Sequence, residues 1–347
     1  MNPAVHSLPN RRIGREGPTV SVLGFGGASV GNLYRASTDE VAAAAMERAS
    51  SLGIRYFDTA PFYGHGLSEV RMGEFLSSGD GSGIALSTKV GRLLDPVAPD
   101  DVPDNGFADP LPFRPVFDYS YDGVMRSFDD SCRRLKTDRF DILYMHDIGA
   151  MTHGAEAHPS LFRQAMDEGY PAMRDLKDQG RVGAIGLGVN EWEVCEQSFA
   201  HAEFDVFMLA GRYTLLEQQP LDSFLPECTR RGVSVVCASP FNSGLMARRP
   251  DAHSKYDYGA APADLAARAN RIFDICEQHG VPAQAAALHF PLLHPAVVSV
   301  VNGMSSARRV EQTLAWFDCD TPEDVWSALK AEGLVRSDAP TGDHHAD

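Results

Sequence analysis

Eight short apolar runs, each followed by a longer amphipathic stretch, restrict how this chain can fold more than any other feature. The runs are Val22–Gly26, Tyr56–Asp58, Ile84–Lys89, Ile142–His146, Val182–Gly188, Val206–Leu209, Val233–Ala238 and Val297–Asn302. Several are β-branched and almost wholly apolar, as suits parallel strands buried on both faces. Helix-start chemistry follows at Thr38-Asp39-Glu40 and at Ser68-Glu69. Further helices are expected over Tyr121–Leu135, Arg163–Gln179, Glu191–His201, Leu221–Arg231 and Ala263–His279. A last major helix starts near Ser306, and a terminal one starts at Thr321-Pro322-Glu323.

Such repetition, with no linker-like shift in composition, predicts an α/β chain closed into one (β/α)8 TIM barrel. Two glycines around the charged turn at Arg12–Gly17 predict an N-terminal β-hairpin ahead of it. A doubly wound open sheet is the alternative. Open dinucleotide-binding sheets carry Gly-x-Gly-x-x-Gly after the first strand. Here the first strand ends in Gly24-Phe25-Gly26-Gly27, and Gly186-Leu187-Gly188 runs on into Val189-Asn190-Glu191 without a third glycine. The barrel is therefore preferred. Residues 1–347 then form a single domain, with 337–347 a flexible polar tail in which His344 and His345 are solvated. Two insertions, residues 92–118 and 149–160, follow the third and fourth strands. In a barrel they are substrate-side loops at the C-terminal face.

Charge narrows the partners. A formal net charge of −16 disfavours phosphate backbones and anionic lipid. No uncharged apolar run approaches the roughly 20 residues of a membrane span, and the N-terminal stretch has no signal-like apolar core. The six cysteines form no C-x-x-C pair, which predicts reduced, buried thiols and a cytoplasmic protein. A small-molecule partner is expected, and the oligomeric state is left open.

The informative polar residues close successive strands. Asp58 ends the second, Lys89 the third and His146 the fourth, with Tyr63 on the loop between the first two of these. Singly, each has an ordinary explanation: a capping Asp, a surface Lys, a core His. On three consecutive strand ends they read as a proton-transfer set. A buried Lys beside a Tyr favours the phenolate, an Asp keeps that Lys charged, and a His contacts the reacting oxygen. This chemistry suits hydride transfer at a carbonyl, which needs one proton and a polarising donor.

The stretch Phe57-Asp58-Thr59-Ala60-Pro61-Phe62-Tyr63-Gly64, followed by Gly66-Leu67-Ser68-Glu69 and Gly73, resembles the aldo-keto reductase signature, which Lys89 and His146 complete as an Asp-Tyr-Lys-His tetrad. The resemblance runs from about Arg12 to Leu334 and implies a TIM barrel binding NAD(P) without a Rossmann domain. Further stretches, including Phe117–Val124, His146-Asp147, Thr152-His153-Gly154 and Gly188–Trp192, look like the branch of D-threo-aldose (L-fucose) 1-dehydrogenases and pyridoxal 4-dehydrogenases. It implies oxidation of a cyclic hemiacetal to a lactone: an aldose such as L-fucose or D-arabinose first, pyridoxal to 4-pyridoxolactone as the alternative, with Tyr63 as acid/base.

The resemblance also implies cofactor contacts. Asn190 holds the nicotinamide carboxamide, Ser239, Phe241, Asn242, Ser243 and Gly244 cover the pyrophosphate, and Gly303, Ser305 and Arg309 grip the adenosine end. Gly303 stands where NADP-using relatives often carry Lys, so NAD is favoured over NADP. Ala210 replaces a frequent Gln, and no stacking Tyr lies near Ala238. Trp192, Phe241 and Tyr213 either line the pocket or pack at the rim, and His153 either meets substrate hydroxyls or is solvated. Two other functions remain: a non-catalytic NAD(P)-binding redox sensor, and a metal hydrolase seeded by His146-Asp147 and His153. The second lacks a His-x-His pair or strand-end carboxylate cluster, and no metal is expected.

Overall fold

The computed structural model describes residues 8–79, 81–256 and 259–342. Its centre is a closed barrel of eight parallel strands. These are β1 (Leu23–Gly26), β2 (Tyr56–Asp58), β3 (Ala85–Val90), β4 (Phe140–His146), β5 (Val182–Val189), β6 (Val206–Ala210), β7 (Ser234–Ala238) and β8 (Val297–Gly303). Sequence neighbours pair in order, and β8 closes on β1 with Val300 opposite Leu23 and Asn302 opposite Phe25. Every expected run matches its strand to within two residues at either end. The runs are visible because buried parallel strands leave no polar alternation to confuse them.

Around the barrel lie α1 (Asp39–Ser51), α2 (Leu67–Ser77), α3 (Tyr121–Leu135), α4 (Ala150–Gln164), α5 (Tyr170–Asp178), α6 (Trp192–Ser198), α7 (Phe224–Arg231), α8 (Ala263–Gln278), α9 (Ala283–Leu292), α10 (Ala307–Phe317) and α11 (Glu323–Ala331). Thr38, Ser120 and Ser306 cap α1, α3 and α10 through their side-chain oxygens. Four helix expectations need correction. Ser68 does not cap α2; Gly66, at φ 99°, precedes that helix. Ser68 instead donates to Gly27 O at 2.8 Å, and Glu69 accepts from Thr88 and Arg134. Residues 149–160 are not a loop but most of α4, kinked at Gly154. Its N-terminus is closed by the distant Glu191 carboxylate, 2.8 Å from Met151 N, a tertiary contact that local sequence does not carry. The expected helix over Arg163–Gln179 is divided by a π-turn at Ala165–Gly169. Helix α9 was not expected, because seven of its ten residues are buried and it shows no amphipathic stripe.

Strand parity separates two cores. Tyr56, Ile142, Tyr144, Ala184, Met208 and Val236 fill the barrel, joined by Ile13 and Val20. Those last two come from the expected hairpin, Asn10–Arg12 paired with Thr19–Ser21. It plugs the N-terminal end, where Gly14 N donates to Ser234 Oγ at 2.8 Å. Phe25, Phe57, Leu143 and Leu187 point outward to the helices. The insertion after β3 forms an antiparallel ribbon, Arg92–Pro96 against Phe113–Phe117. Ala339 and Thr341 are buried, and Lys330 Nζ donates to Ala339 O at 2.8 Å, so the chain is packed that far beyond α11. His344 and His345 lie outside the described residues.

Close approach fixes two glycines on β5. A Cβ on Gly186 would lie 1.7 Å from Val206 O, and one on Gly188 would lie 3.3 Å from Lys89 Cε. Gly186→Ala is therefore expected to cost about 2 kcal/mol or more by forcing β5 and β6 apart. Urea denaturation reads this directly, and an unchanged midpoint would contradict the strand spacing.

Candidate active site

β2, β3 and β4 deliver Asp58, Lys89 and His146 to the C-terminal mouth on their inward parity. Two residues earlier on the same strands, and so also inward, lie Tyr56, Ser87 and Tyr144. Lys89, only 2% exposed, donates to Asp58 Oδ1 and Oδ2 at 2.9 and 2.8 Å and to Thr59 O at 2.9 Å. Three acceptors around one ammonium assign an ionised pair. Burial lowers the Lys89 pKa, but Asp58 and Tyr63 outweigh it and leave the group above its ordinary value. Asp58 also accepts from Ser87 Oγ at 2.7 Å. Ser87 lies 3.1 Å from the Tyr56 hydroxyl, itself 3.1 Å from that of Tyr144. These hydroxyls form a polar floor inside an apolar barrel, and Ser87 is the one that reaches the carboxylate.

Tyr63 completes the group on the loop after β2. Lys89 Nζ stands 4.8 Å from its ring centroid, and the ring meets His146 edge-on at 6.1 Å. The expectation of a depressed phenol pKa needs correction. Burial pushes it up to about 12, although the charge and hydrogen bond of Lys89 pull downward. His146 is held neutral, well below the usual imidazole range, by burial and by the positive charges of Arg92 and Lys89. Its Nδ1 has no partner among the described residues. The tetrad thus holds a protonated phenol, a charged ammonium and a neutral imidazole.

Sequence reasoning missed a second ion pair beside it. Arg92, directly after β3, is 7% exposed and bonds the carboxylate of Asp147, 8% exposed. The guanidinium lies 4.1 Å from the Phe62 ring centroid and 4.7 Å from that of Phe117. Phe62 and Phe107 cross edge-to-face at 5.3 Å, and both flank the tetrad: Phe62 meets His146 at 6.2 Å, Phe107 meets Tyr63 at 6.3 Å. Phe62 and Asp147 stood inside the quoted motifs, but only the third dimension shows what they touch.

The expected cofactor residues share the same rim. Asn190, half-buried after β5, donates to Asp147 Oδ1 at 3.2 Å. After β7, Ser239 (φ 56°), Asn242 (φ 45°) and Ser243 (φ 56°) adopt left-handed backbone, and the tight loop is closed by its own main chain, Ser239 N donating to Val301 O, Asn242 N to Ser239 O and Gly244 N to Phe241 O. Asn242 donates to Gly211 O at 3.0 Å, while its Oδ1 is buried without a partner among the described residues. A Cβ on Gly244 would meet nothing within 4 Å. Gly303, Ser305 and Arg309 are exposed around the start of α10, with Arg309 Nη1 2.7 Å from Gln312 Oε1. The orphaned Asn242 oxygen, an acceptor, fits a hydroxyl or amide donor, and the exposed start of α10 leaves room along the rim, so the lining fits a dinucleotide.

Three aromatics are packing groups. The Phe241 ring lies edge-on to Trp316 at 5.9 Å, leaving its backbone to the loop. Tyr213 is fully buried against Phe290 at 5.3 Å, and Trp192 packs on the outer core. His153 is held 2.9 Å from the Tyr119 hydroxyl, with Phe117 at 4.5 Å. Among the described residues, no group of three or more His, Cys, Asp or Glu is placed to hold a metal, and no helix is long and apolar enough to cross a membrane.

The pattern of the aldo/keto reductase family matches residues 22–332. The chain belongs to that family. It is 43% identical to a pyridoxal 4-dehydrogenase of Microbacterium luteolum, over 94% of this chain and 97% of the relative. It is 39% identical to a D-threo-aldose 1-dehydrogenase of a Pseudomonas species, over 92% and 96%. An aldo-keto reductase of Bacillus halodurans solved in its holo form superposes with a TM-score of 0.72, at 25% identity, over 99% of this chain and all of the other. This aldo-keto reductase is thus an oxidoreductase acting on CH–OH, of a family that uses NAD(P).

The buried pair makes a testable demand on stability. Lys89→Met leaves the Asp58 carboxylate in the barrel without its cation, an expected loss of about 3–5 kcal/mol. Lys89→Met combined with Asp58→Asn removes both charges and is expected to recover most of it. Equal destabilisation of the single and double variants in urea would show that the pair is not ionised.

Proposed function

We propose that this aldo-keto reductase oxidises the hemiacetal carbon of a cyclic substrate to a lactone, with Tyr63 taking the hydroxyl proton. The observation that carries this reading is the proton site itself: a buried phenol beside the Lys89 ammonium and edge-on to a neutral His146. NAD(P)+, when bound, supplies the hydride acceptor. Asn190, the Ser239–Gly244 loop and the start of α10 are the residues that would hold it. Gly303 in place of a cation, with the Arg309 guanidinium engaged by Gln312, supports NAD over NADP.

In oxidation the hemiacetal hydroxyl donates to the Tyr63 oxygen. Tyr63 must first release its own proton to water, which the Lys89 charge favours, and the phenolate then takes the hydroxyl proton. Neutral His146 hydrogen-bonds the same substrate oxygen and adds no charge that would oppose hydride departure. The phenylalanine rings beside the tetrad exclude water from the reacting carbon.

The sequence placed aldoses first. The wall of Phe62 and Phe107 supports a flat aromatic substrate, the cyclic hemiacetal of pyridoxal giving 4-pyridoxolactone, and the 43% identical relative supports the same order. An aldose is the second reading, supported by polar groups at the mouth: His65 with Asn105 at 3.2 Å, and Tyr119 with His153.

Absorbance of reduced nicotinamide tests both. With NAD+ or NADP+, reduction is expected with pyridoxal before L-fucose, D-arabinose, L-galactose or D-xylose. Tyr63→Phe is expected to lower turnover at least ~100-fold while leaving NADH binding intact. Undiminished turnover in that variant would remove Tyr63 from the mechanism.

A further inference from the structure

The tetrad and the cofactor-facing residues are joined by one carboxylate that neither set includes. Asp147 follows β4 in left-handed backbone (φ 49°), a conformation unfavourable for a residue with a Cβ. Its main chain is held firmly there. Asp147 N donates to Gly188 O at 3.0 Å, and the buried Tyr119 hydroxyl lies 2.9 Å from His146 O and 3.0 Å from Asp147 O. The turn brings the side chain back over the barrel mouth. One oxygen, Oδ2, lies 3.5 Å from His146 Nε2 and bonds Arg92. The other, Oδ1, accepts from Asn190 Nδ2 at 3.2 Å.

Arg92 is equally constrained. It follows Gly91 (φ 92°), where a Cβ would lie 2.5 Å from the Tyr119 ring. The guanidinium is sandwiched between Phe62 and Phe117, so it cannot swing to solvent without breaking the aromatic wall. A buried cation fixed on two rings therefore fixes the carboxylate, and the carboxylate meets groups on two different strand ends.

We propose that Asp147, ion-paired with Arg92, is a positioning residue that holds the His146 imidazole and the Asn190 carboxamide in one frame. The inference rests on the roles given to His146 and Asn190 above. Its consequence is a coupling: disturbing Asp147 moves the proton-transfer half and the cofactor half of the site together. A carboxylate that only stabilised the loop after β4 would change unfolding without changing both.

Charge gives a second signature. Around this carboxylate lie Lys89 on β3, Arg92 after β3, His146 on β4, His153 on α4 and Glu191 after β5, with Asp58 and Tyr63 beyond Lys89. The Asp147 charge is among those raising the Tyr63 pKa. Removing it while Arg92 stays makes the surroundings of Tyr63 more positive and favours the phenolate.

The test uses the full-length enzyme and three variants: Asp147→Asn, Asp147→Glu, and the Arg92→Gln/Asp147→Asn double variant. The double variant leaves no unpaired buried charge if the single one fails to fold. NADH affinity is read by fluorescence titration, and kcat, KM and the pH profile by nicotinamide absorbance with the hemiacetal substrate. Asp147→Asn is expected to weaken NADH binding about 10-fold and lower kcat about 30-fold with KM within about 3-fold. The rising limb of its oxidation profile is expected to curve toward a plateau at lower pH than that of the wild type, which is still climbing through about pH 7 to about pH 10. The double variant is expected to lose NADH affinity and kcat in the same way, without the pH displacement. Asp147→Glu, which keeps the charge but moves the oxygens, is expected to lose kcat and keep the wild-type limb. Folded variants with unchanged NADH affinity, or with an unmoved limb in Asp147→Asn, would overturn the proposal. A wild type silent with every hemiacetal, while Asp147→Asn still weakens NADH binding, would instead overturn the functional reading and leave the Asp147–Asn190 link standing.

Discussion

The Lys89–Asp58 pair is the interaction on which the rest of the site depends. Burying two charges in a barrel is costly unless every remaining hydrogen-bonding position is filled. Here it is filled. Lys89 reaches both Asp58 oxygens and Thr59 O, and Ser87 supplies a further donor to the carboxylate. Room for the lysine stem comes from Gly188 on β5, where a side chain would press on Lys89 Cε. The barrel thus contributes parity, donors and space, and the ammonium it holds is the one that faces Tyr63. Tyr63 is then governed by two opposed influences. Burial favours the neutral phenol, the ammonium favours the phenolate, and burial prevails in the free protein.

Around this pair the site grows by layers. The hydroxyls of Tyr56, Ser87 and Tyr144 form the floor, and Asp58, Lys89 and His146 stand one inward step above them. The ribbon after β3 brings Phe117 against Arg92, and Arg92 against Phe62, so the aromatic wall and the second ion pair are one construction. Asp147 links that construction to Asn190. Residues drawn from four strand ends and two loops are therefore held by charge pairs with little freedom to reorganise, which is what preorganised proton transfer requires.

The barrel and the clustering of Asp58, Lys89 and His146 were legible because both follow from strand periodicity, whereas Tyr63, on a loop, was reached through the family resemblance. A run such as Ile142-Leu143-Tyr144-Met145 is apolar throughout, and the polar residue that ends it falls at the mouth with known parity. Other features were hidden for physical reasons. The helix over residues 150–164 contains Gly154 and Pro159 and is closed by Glu191 from another unit, so its local pattern reads as loop. The α9 segment is buried on nearly all sides and lacks the stripe that betrays a surface helix. Arg92 follows the left-handed Gly91 and Asp147 is itself left-handed, and such backbone breaks the link between spacing and direction. The sign of the Tyr63 shift was missed because the sequence shows the lysine but not the depth of burial.

The protonation state of Tyr63 is the central claim, and the pH dependence of kcat/KM in both directions tests it most directly. A phenol pushed up to about 12 is protonated at neutral pH, and the proposed oxidation requires its basic form. Oxidation by the wild type is therefore expected to climb without levelling from about pH 7 to about pH 10, while reduction stays flat across that range. An oxidation profile that levels near neutral pH, with reduction falling above it, would mean that Lys89 outweighs burial and would contradict the account.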